Sequence, residues 1–167
     1  MASELHVDTI KHSGGTSALT IDSSGRVLNS NIPYFHVTGN HGWIDLGGGF
    51  NNYFNSNTSA VDVITNTGSH YVASTGRFTA PLTGLYQMSA CFYVNDSGDV
   101  ETNMRFYKNG SHWHDNYFRV HHDSTNYPDN TATMSFAVNL SATDYVQWYV
   151  NEDIYGHHSF WTGYLIG

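Results

Sequence analysis

The strongest pattern in the chain is strict two-residue alternation. In GLYQMSACFYV, Gly84–Val94, the residues Tyr86, Met88, Ala90, Phe92 and Val94 fall on one face and Gln87, Ser89 and Cys91 on the other. MSFAVNL repeats the pattern with Met134, Phe136, Val138 and Leu140, and DYVQWYV with Val146, Trp148 and Val150. Successive strand residues point to opposite faces, so each apolar set is predicted to line a core. Apolar residues nowhere recur at helical spacing over several turns, and no helix is expected. Just before the longest run, TGRFTAPLTG crowds Gly76, Pro81 and Gly84 into ten residues. Proline cannot donate to a ladder, so this stretch is predicted to turn a corner and deliver the chain into a long core strand.

The same reading along residues 31–167 predicts strands at Tyr34–Thr38, Trp43–Leu46, Tyr71–Ala73, Arg77–Thr79, Gly84–Val94, Thr102–Lys108, Tyr117–His121, Ala132–Leu140, Tyr145–Val150 and Ser159–Ile166. Many short strands separated by turns point to an all-β sandwich, and the corner before a long core strand suits an antiparallel jelly roll. The polar, Gly- and Asn-rich stretch Gly47–Gly68 reads mostly as loop. Residues 1–30 read as a separate arm, with LHVDTI and SALTID as short strands and HSGG and SSGR as turns. The arm offers only Val7, Ile10, Leu19, Ile21, Val27 and a few other apolar residues. That is too little for a core of its own, so these side chains are expected to attach it to something else.

Composition narrows the function. Charged residues make up only 12% of the 167, the formal net charge is −8, and just six are Lys or Arg. Such a chain has no basic footprint for phosphates, which argues against nucleic acid. Cys91 is the single cysteine, so no internal disulfide forms. No apolar run approaches the roughly 20 residues that span a bilayer. The first residues, MASELHVDTIKH, lack the apolar stretch of a secretory signal, and a soluble protein made without an export signal is expected.

Four ordered blocks resemble a known family. GRFTAPLTGLYQMSA, YKNG at Tyr107–Gly110, NLSATDYVQW at Asn139–Trp148 and the closing SFWTGYLIG resemble the globular head of complement component 1q, a tumour-necrosis-factor-like jelly roll. Gly76, Phe78, Ala80, Pro81, Gly84 and Tyr86 carry the first motif, and Phe160, Gly163 and Tyr164 the last. The resemblance covers roughly residues 50–167 and implies an antiparallel jelly roll of about ten strands that assembles as a homotrimer. The arm, SELHVDTIKHSGGTSALTIDSSGRVL, resembles the N-terminal segment of phage tail-fibre and other virion proteins, notably of marine phages and cyanophages. Together the two imply a bacteriophage virion appendage.

Candidate chemistry lies in the histidines, the acidic loops and the aromatics. His112 and His114, two apart in HWH, share a face if they lie in a strand; around a threefold axis they would supply six imidazoles to a transition metal. Some phage fibres resemble this arrangement. The plainer reading is exposed loop histidines beside the KNG turn. Asp96, Asp99, Asp123, Asp129, Glu152 and Asp153 lie in NDSGDVE, HHDSTNYPDN and NEDIYG, where carboxylates can hold calcium or simply form turns. No pattern of a hydrolase elbow or phosphate loop is present, and no enzyme activity is expected. Loop aromatics are candidates for receptor contact: Trp113, Tyr117, Tyr155 and Trp161, flanked by His157 and His158. Their rings also suit stacking on host-surface glycan. Packing at a subunit interface or in the core is the alternative reading.

The expectation is therefore a non-enzymatic structural protein of the virion, a trimeric tail-fibre knob that contacts the host surface (receptor binding, host attachment), bound to other virion proteins through its arm. A capsid decoration or cement trimer is the alternative. A secreted bacterial binding module is weakened by the missing signal.

Overall fold

The computed structural model describes residues 6–29, 31–44, 46, 49–57, 60–95, 101–121, 129–151 and 153–167, with backbone alone at 95, 114–117, 120, 121, 129 and 130. The chain divides into two units, Met1–Ile32 and Pro33–Gly167.

The first unit is a three-stranded antiparallel sheet of β1 (Thr9–Lys11), β2 (Ser17–Ile21) and β3 (Val27–Leu28), in that order. Asp22 explains its second turn. One carboxylate oxygen accepts from the backbone N–H of Ser24 and of Arg26, both at 2.9 Å, and the other accepts from Arg26 Nε at 2.7 Å. Those bonds hold the Asp22 carboxyl below its ordinary range, the Arg26 backbone N–H most of all. IDSSGRV is thus a self-contained turn. Val7, Leu19 and Ile21 are half-buried, whereas Ile10, Val27 and Leu28 stand exposed, Val27 at 62%.

The second unit comprises β4 (Tyr34–Gly39), β5 (Trp43–Ile44), β6 (Asn51–Asn52), β7 (Val61–Thr67), β8 (Tyr71–Val72), β9 (Arg77–Thr79), β10 (Gly84–Asn95), β11 (Glu101–Lys108), β12 (Ser111–His121), β13 (Asp129–Leu140), β14 (Tyr145–Val150), β15 (Ile154–Tyr155) and β16 (Phe160–Leu165). The strands form two antiparallel sheets, the expected all-β jelly roll. The front sheet centres on β10, which pairs with β13 along one edge and with β16 and then β15 along the other; β4 and β7 extend it past β16, and β5 past β15. The back sheet runs β12-β11-β14-β9-β8, with β6 beside β14.

The alternating sets meet between the sheets. Tyr86, Met88, Ala90, Phe92 and Val94 are buried from the front sheet, and Met104, Phe106, Val146, Trp148 and Val150 from the back. Aromatics dominate: Phe35 stacks on Phe78 with centroids 4.6 Å apart and meets Trp161 edge-on at 4.7 Å. Each fully buried large side chain contributes about 2–3 kcal/mol before entropy is counted. Gly76 turns the corner in the left-handed region at φ 57° after a 3₁₀ turn, Ala73–Thr75, and the Tyr86 hydroxyl donates to Leu82 O to brace the APLTG bend. Asn109 and Gly110, at φ 52° and 76°, close the β11–β12 hairpin in two residues.

Two expectations are sharpened. The stretch read mostly as loop, Gly47–Gly68, also contains β6 and the seven-residue β7. β7 is an edge strand whose Val63 and Ile64 are exposed, so it lacks the buried alternation that marks a core strand. β12 begins at Ser111, directly after the two-residue turn, so HWH lies in a strand, as the metal reading assumed, and the plainer reading of loop histidines is corrected.

Candidate functional site

Five rings gather at one end of the front sheet. β10 begins beside the chain end, where Leu85 N donates to Gly167 O at 2.7 Å, and Leu165 N donates to Pro33 O at 3.1 Å. Nine residues on from Gly84, about 30 Å away at strand rise, Tyr93 points outward from the same strand. In register at that far end, Val94 pairs with Ile154 and Ile154 with Ile44, which sets Tyr93, Tyr155 and Trp43 in one row. Trp43 lies 5.2 Å from Tyr155 and 5.7 Å from Tyr93. His158 lies 4.9 Å from Tyr155 and 5.0 Å from Tyr93, and His157 5.7 Å from Tyr155.

Buried hydrogen bonds hold this tip. Ser159, 1% exposed, accepts from Tyr93 N at 3.0 Å and donates to Tyr155 O at 2.9 Å. Gly156 N donates to Gly42 O and His157 N to His41 O. The two β-strand pairs and the 3₁₀ turn Gly156–His158 are thereby fixed to the core, while Trp43 remains 43% exposed and both imidazoles are exposed. A rigid aromatic platform with ring nitrogens at its rim can stack on a flat or C–H-rich ligand and hydrogen-bond its edge.

Three of the predicted contact residues, Tyr155, His157 and His158, belong to this cluster. Trp161 does not: it is fully buried, packed on Phe35, Tyr71 and Phe54, because its position on β16 faces the core. Trp113 is likewise no loop residue. It is half-buried on β12, stacked on Phe136 at 5.3 Å and edge-on to Phe106. Tyr117 lies in β12, paired with Arg105, and its side chain is outside the described residues. Sequence reasoning missed Trp43 and Tyr93. Tyr93 was legible as the continuation of the solvent face of Gln87, Ser89 and Cys91. Trp43 carried no such signal, since its two-residue strand is too short to show alternation.

His112 pairs with Tyr107 on the back sheet, with ring centroids 5.7 Å apart, and the His114 side chain is outside the described residues. Asp96, Asp99, Asp123 and Glu152 are also outside them, and Asp129 is described only as backbone of β13; Asp153 is half-buried just before β15. Among the described residues no group of three or more His, Cys, Asp or Glu converges to hold a metal. Cys91 is buried, with Thr133 Oγ1 donating to its sulfur at 3.5 Å. A cavity of about 380 Å³ opens between the free edges of β12 and β13, lined by Met104, Phe118, Arg119, Ala132, Thr133 and Met134.

Comparison with known proteins places this architecture. A family model described as C1q domain matches residues 51–166. No curated protein matches the chain in sequence. Among solved structures, the globular domain of zebrafish complement 1qA is 15% identical, with a TM-score of 0.59, covering 81% of this chain and 98% of that one. Eiger TNF from S. frugiperda is also 15% identical, with a TM-score of 0.57 and coverage of 82% and 94%. Murine APRIL is 10% identical, with a TM-score of 0.56 and coverage of 81% and 99%.

Proposed function

This chain belongs to the C1q domain family; from that membership, and from the arm's resemblance to the N-terminal segment of virion proteins, we propose that it is a non-catalytic, homotrimeric binding knob, the distal part of a virion appendage such as a phage tail fibre. Residues 33–167 contact the host surface and the arm attaches the knob to the particle. The observation that carries the reading is the placement of the Trp43–Tyr93–Tyr155–His158 cluster: it lies at the end of the jelly roll opposite Pro33 and Gly167, where the chain enters and leaves the domain. A ligand platform belongs at such a tip. The exposed Ile10, Val27 and Leu28 give the arm an apolar surface for another virion protein.

Charge distribution supports the trimer. Below the tip, the outward positions of β4, β10 and β16, namely Tyr34, His36, Thr38, Leu85, Gln87, Ser89, Cys91, Phe160, Thr162 and Tyr164, include no Asp, Glu, Lys or Arg. Depletion of charge with retained aromatics is the mark of a covered face. In this trimer the front sheets turn inward below the tip, leaving the ring platform clear, and the open edge between β12 and β13 meets the neighbouring subunit. His112, on the back sheet, then lies away from the threefold axis, and no axial metal is part of the proposal.

Adsorption tests it. Purified chain is expected to compete with phage for host cells, and Trp43→Ala to abolish competition without loss of fold. Chain that leaves adsorption untouched, while its removal weakens particles, would instead identify a capsid decoration protein.

A further inference from the structure

The back sheet carries the opposite surface. Of the six Lys and Arg in the chain, Lys11 and Arg26 lie in the arm; the other four, Arg77 on β9, Arg105 and Lys108 on β11 and Arg119 on β12, all lie on the back sheet. A chain of net charge −8 has therefore gathered the jelly roll's entire basic complement onto one of two sheets. Two of the four are neutralised locally: Arg119 by Glu101 at 3.1 Å and Lys108 by Asp144 at 2.8 Å. Arg77 has no carboxylate partner among the described residues. It is exposed, and its guanidinium carbon sits 4.1 Å above the centroid of the Tyr145 ring.

Stacking uses the face of the guanidinium and leaves its in-plane N–H groups for an acceptor, the geometry that receives a carboxylate through two parallel bonds. Beside it along β14 stands Tyr149, whose ring is 4.3 Å from that of Tyr107, and Tyr107 in turn is 5.7 Å from His112. Tyr145, Tyr149 and Tyr107 are half-buried and alternate with inward-facing residues, so with Arg77 their exposed parts form a strip across β9, β14 and β11. Three strands span about 10 Å at sheet spacing. Gln147, between the two β14 tyrosines, is buried and donates to Thr75 O at 2.8 Å, which fixes the floor.

We propose that this strip, centred on Arg77, Tyr145, Tyr149 and Tyr107, binds a carboxylated saccharide. Ring faces receive the C–H face of a sugar, phenol hydroxyls meet its hydroxyl groups, and Arg77 takes the carboxylate. The surface has too few cations for a phosphate polymer, whose binding rests on many neutralised charges. A sheet face, unlike a sheet edge, offers no free ladder for a peptide strand. The site is separate from the tip platform and does not depend on it.

Calorimetric titration of the full chain with oligogalacturonate and with oligosialic acid, against maltotriose and oligoglutamate, tests the assignment. Binding of at least one carboxylated saccharide and of neither control is expected. Arg77→Ala should weaken it about tenfold, as loss of a charged hydrogen-bond pair does. Arg77→Lys should restore only part, Tyr149→Ala should weaken it and Trp43→Ala should leave it unchanged, with thermal unfolding showing each variant folded. No binding of either acidic saccharide overturns the proposal. So does equal binding of maltotriose or oligoglutamate, or affinity that survives Arg77→Ala.

Discussion

Gly163 on β16 and Phe35 on β4 face each other in register, and a Cβ on Gly163 would fall 2.7 Å from Cε1 of Phe35 and 2.5 Å from Sδ of Met88. Phe35 has nowhere to retreat, being stacked on Phe78 and Tyr71 and edge-on to Trp161. The glycine of the closing FWTGYL strand is therefore a packing residue. Gly163→Ala is expected to destabilise the fold by about 1–3 kcal/mol, the usual cost of overfilling a tight core. Gly167→Ala, where nothing lies within 4 Å, is the control. Thermal unfolding of the pair decides it: equal midpoints would show that the core yields at Gly163.

Two tryptophans in this chain are expected to behave as opposites. Trp161 is fully buried among Phe35, Phe54 and Tyr71, so Trp161→Ala should cost about 3–5 kcal/mol. Trp43 is 43% exposed at the tip, and Trp43→Ala should cost no more than about 1 kcal/mol while removing the ring on which the platform rests. Urea unfolding together with cell adsorption separates them. A large stability loss in Trp43→Ala would make the tip cluster a packing feature and not a binding one.

Asp144 ties the hairpin turn of β11 and β12 to the loop before β14. Its carboxylate accepts from Lys108 Nζ at 2.8 Å, Asn109 Nδ2 at 2.7 Å and Ser141 N at 2.8 Å. The Lys108 bond, followed by those from Asn109 and Ser141, lowers its pKa to about 2. The folded state therefore binds this proton less readily than the unfolded chain does. The contribution is present above the ordinary carboxylate value near 3.8 and is lost as pH falls toward about 2. Asp144→Asn should lower stability at neutral pH by about 1 kcal/mol. In urea midpoints measured across the acid range, variant and parent should converge below pH 4. A gap that stays constant down to about pH 2 would remove the ionised carboxylate as its cause.

The fold was legible because core strands announce themselves. Tyr145–Val150 and Arg77–Thr79 have the boundaries that alternation and turn residues indicate, and Gly84–Asn95 extends its predicted span by one residue. Register on a half-buried sheet is set by which face is apolar, and that information is local. β7 and β15 escaped notice for the complementary reason: one is an exposed edge strand, the other two residues long. The tip site was half legible. Tyr155, His157 and His158 sit together in one short segment, but Trp43 and Tyr93 join them only through the pairing of β5, β15 and β10. Trp113 and Trp161 show the limit most plainly: an aromatic near a turn reads the same whether its strand position faces solvent or core. The Arg77 strip had no linear signature at all, since its members come from three strands.

The front sheet's outward face supplies the sharpest test of the proposed trimer. At its centre Ser89 and Ser135 hydroxyls lie 2.8 Å apart across β10 and β13, and Gln87 Nε2 donates to Ser135 Oγ at 2.7 Å. In a monomer this face meets water, and Ser89→Asp is a surface change of small effect. In the proposed trimer three such carboxylates are desolvated together, and an unpaired buried charge is far costlier than any exposed one. Ser89→Asp is therefore expected to yield folded monomers, while Ser89→Asn, similar in size and uncharged, retains the trimer. Light scattering coupled to size exclusion reads the mass directly, and far-ultraviolet dichroism confirms that both variants keep the sheet. A Ser89→Asp protein that remains trimeric would place the subunit contact on another face, and the uncharged surface of β4, β10 and β16 would then need a different occupant.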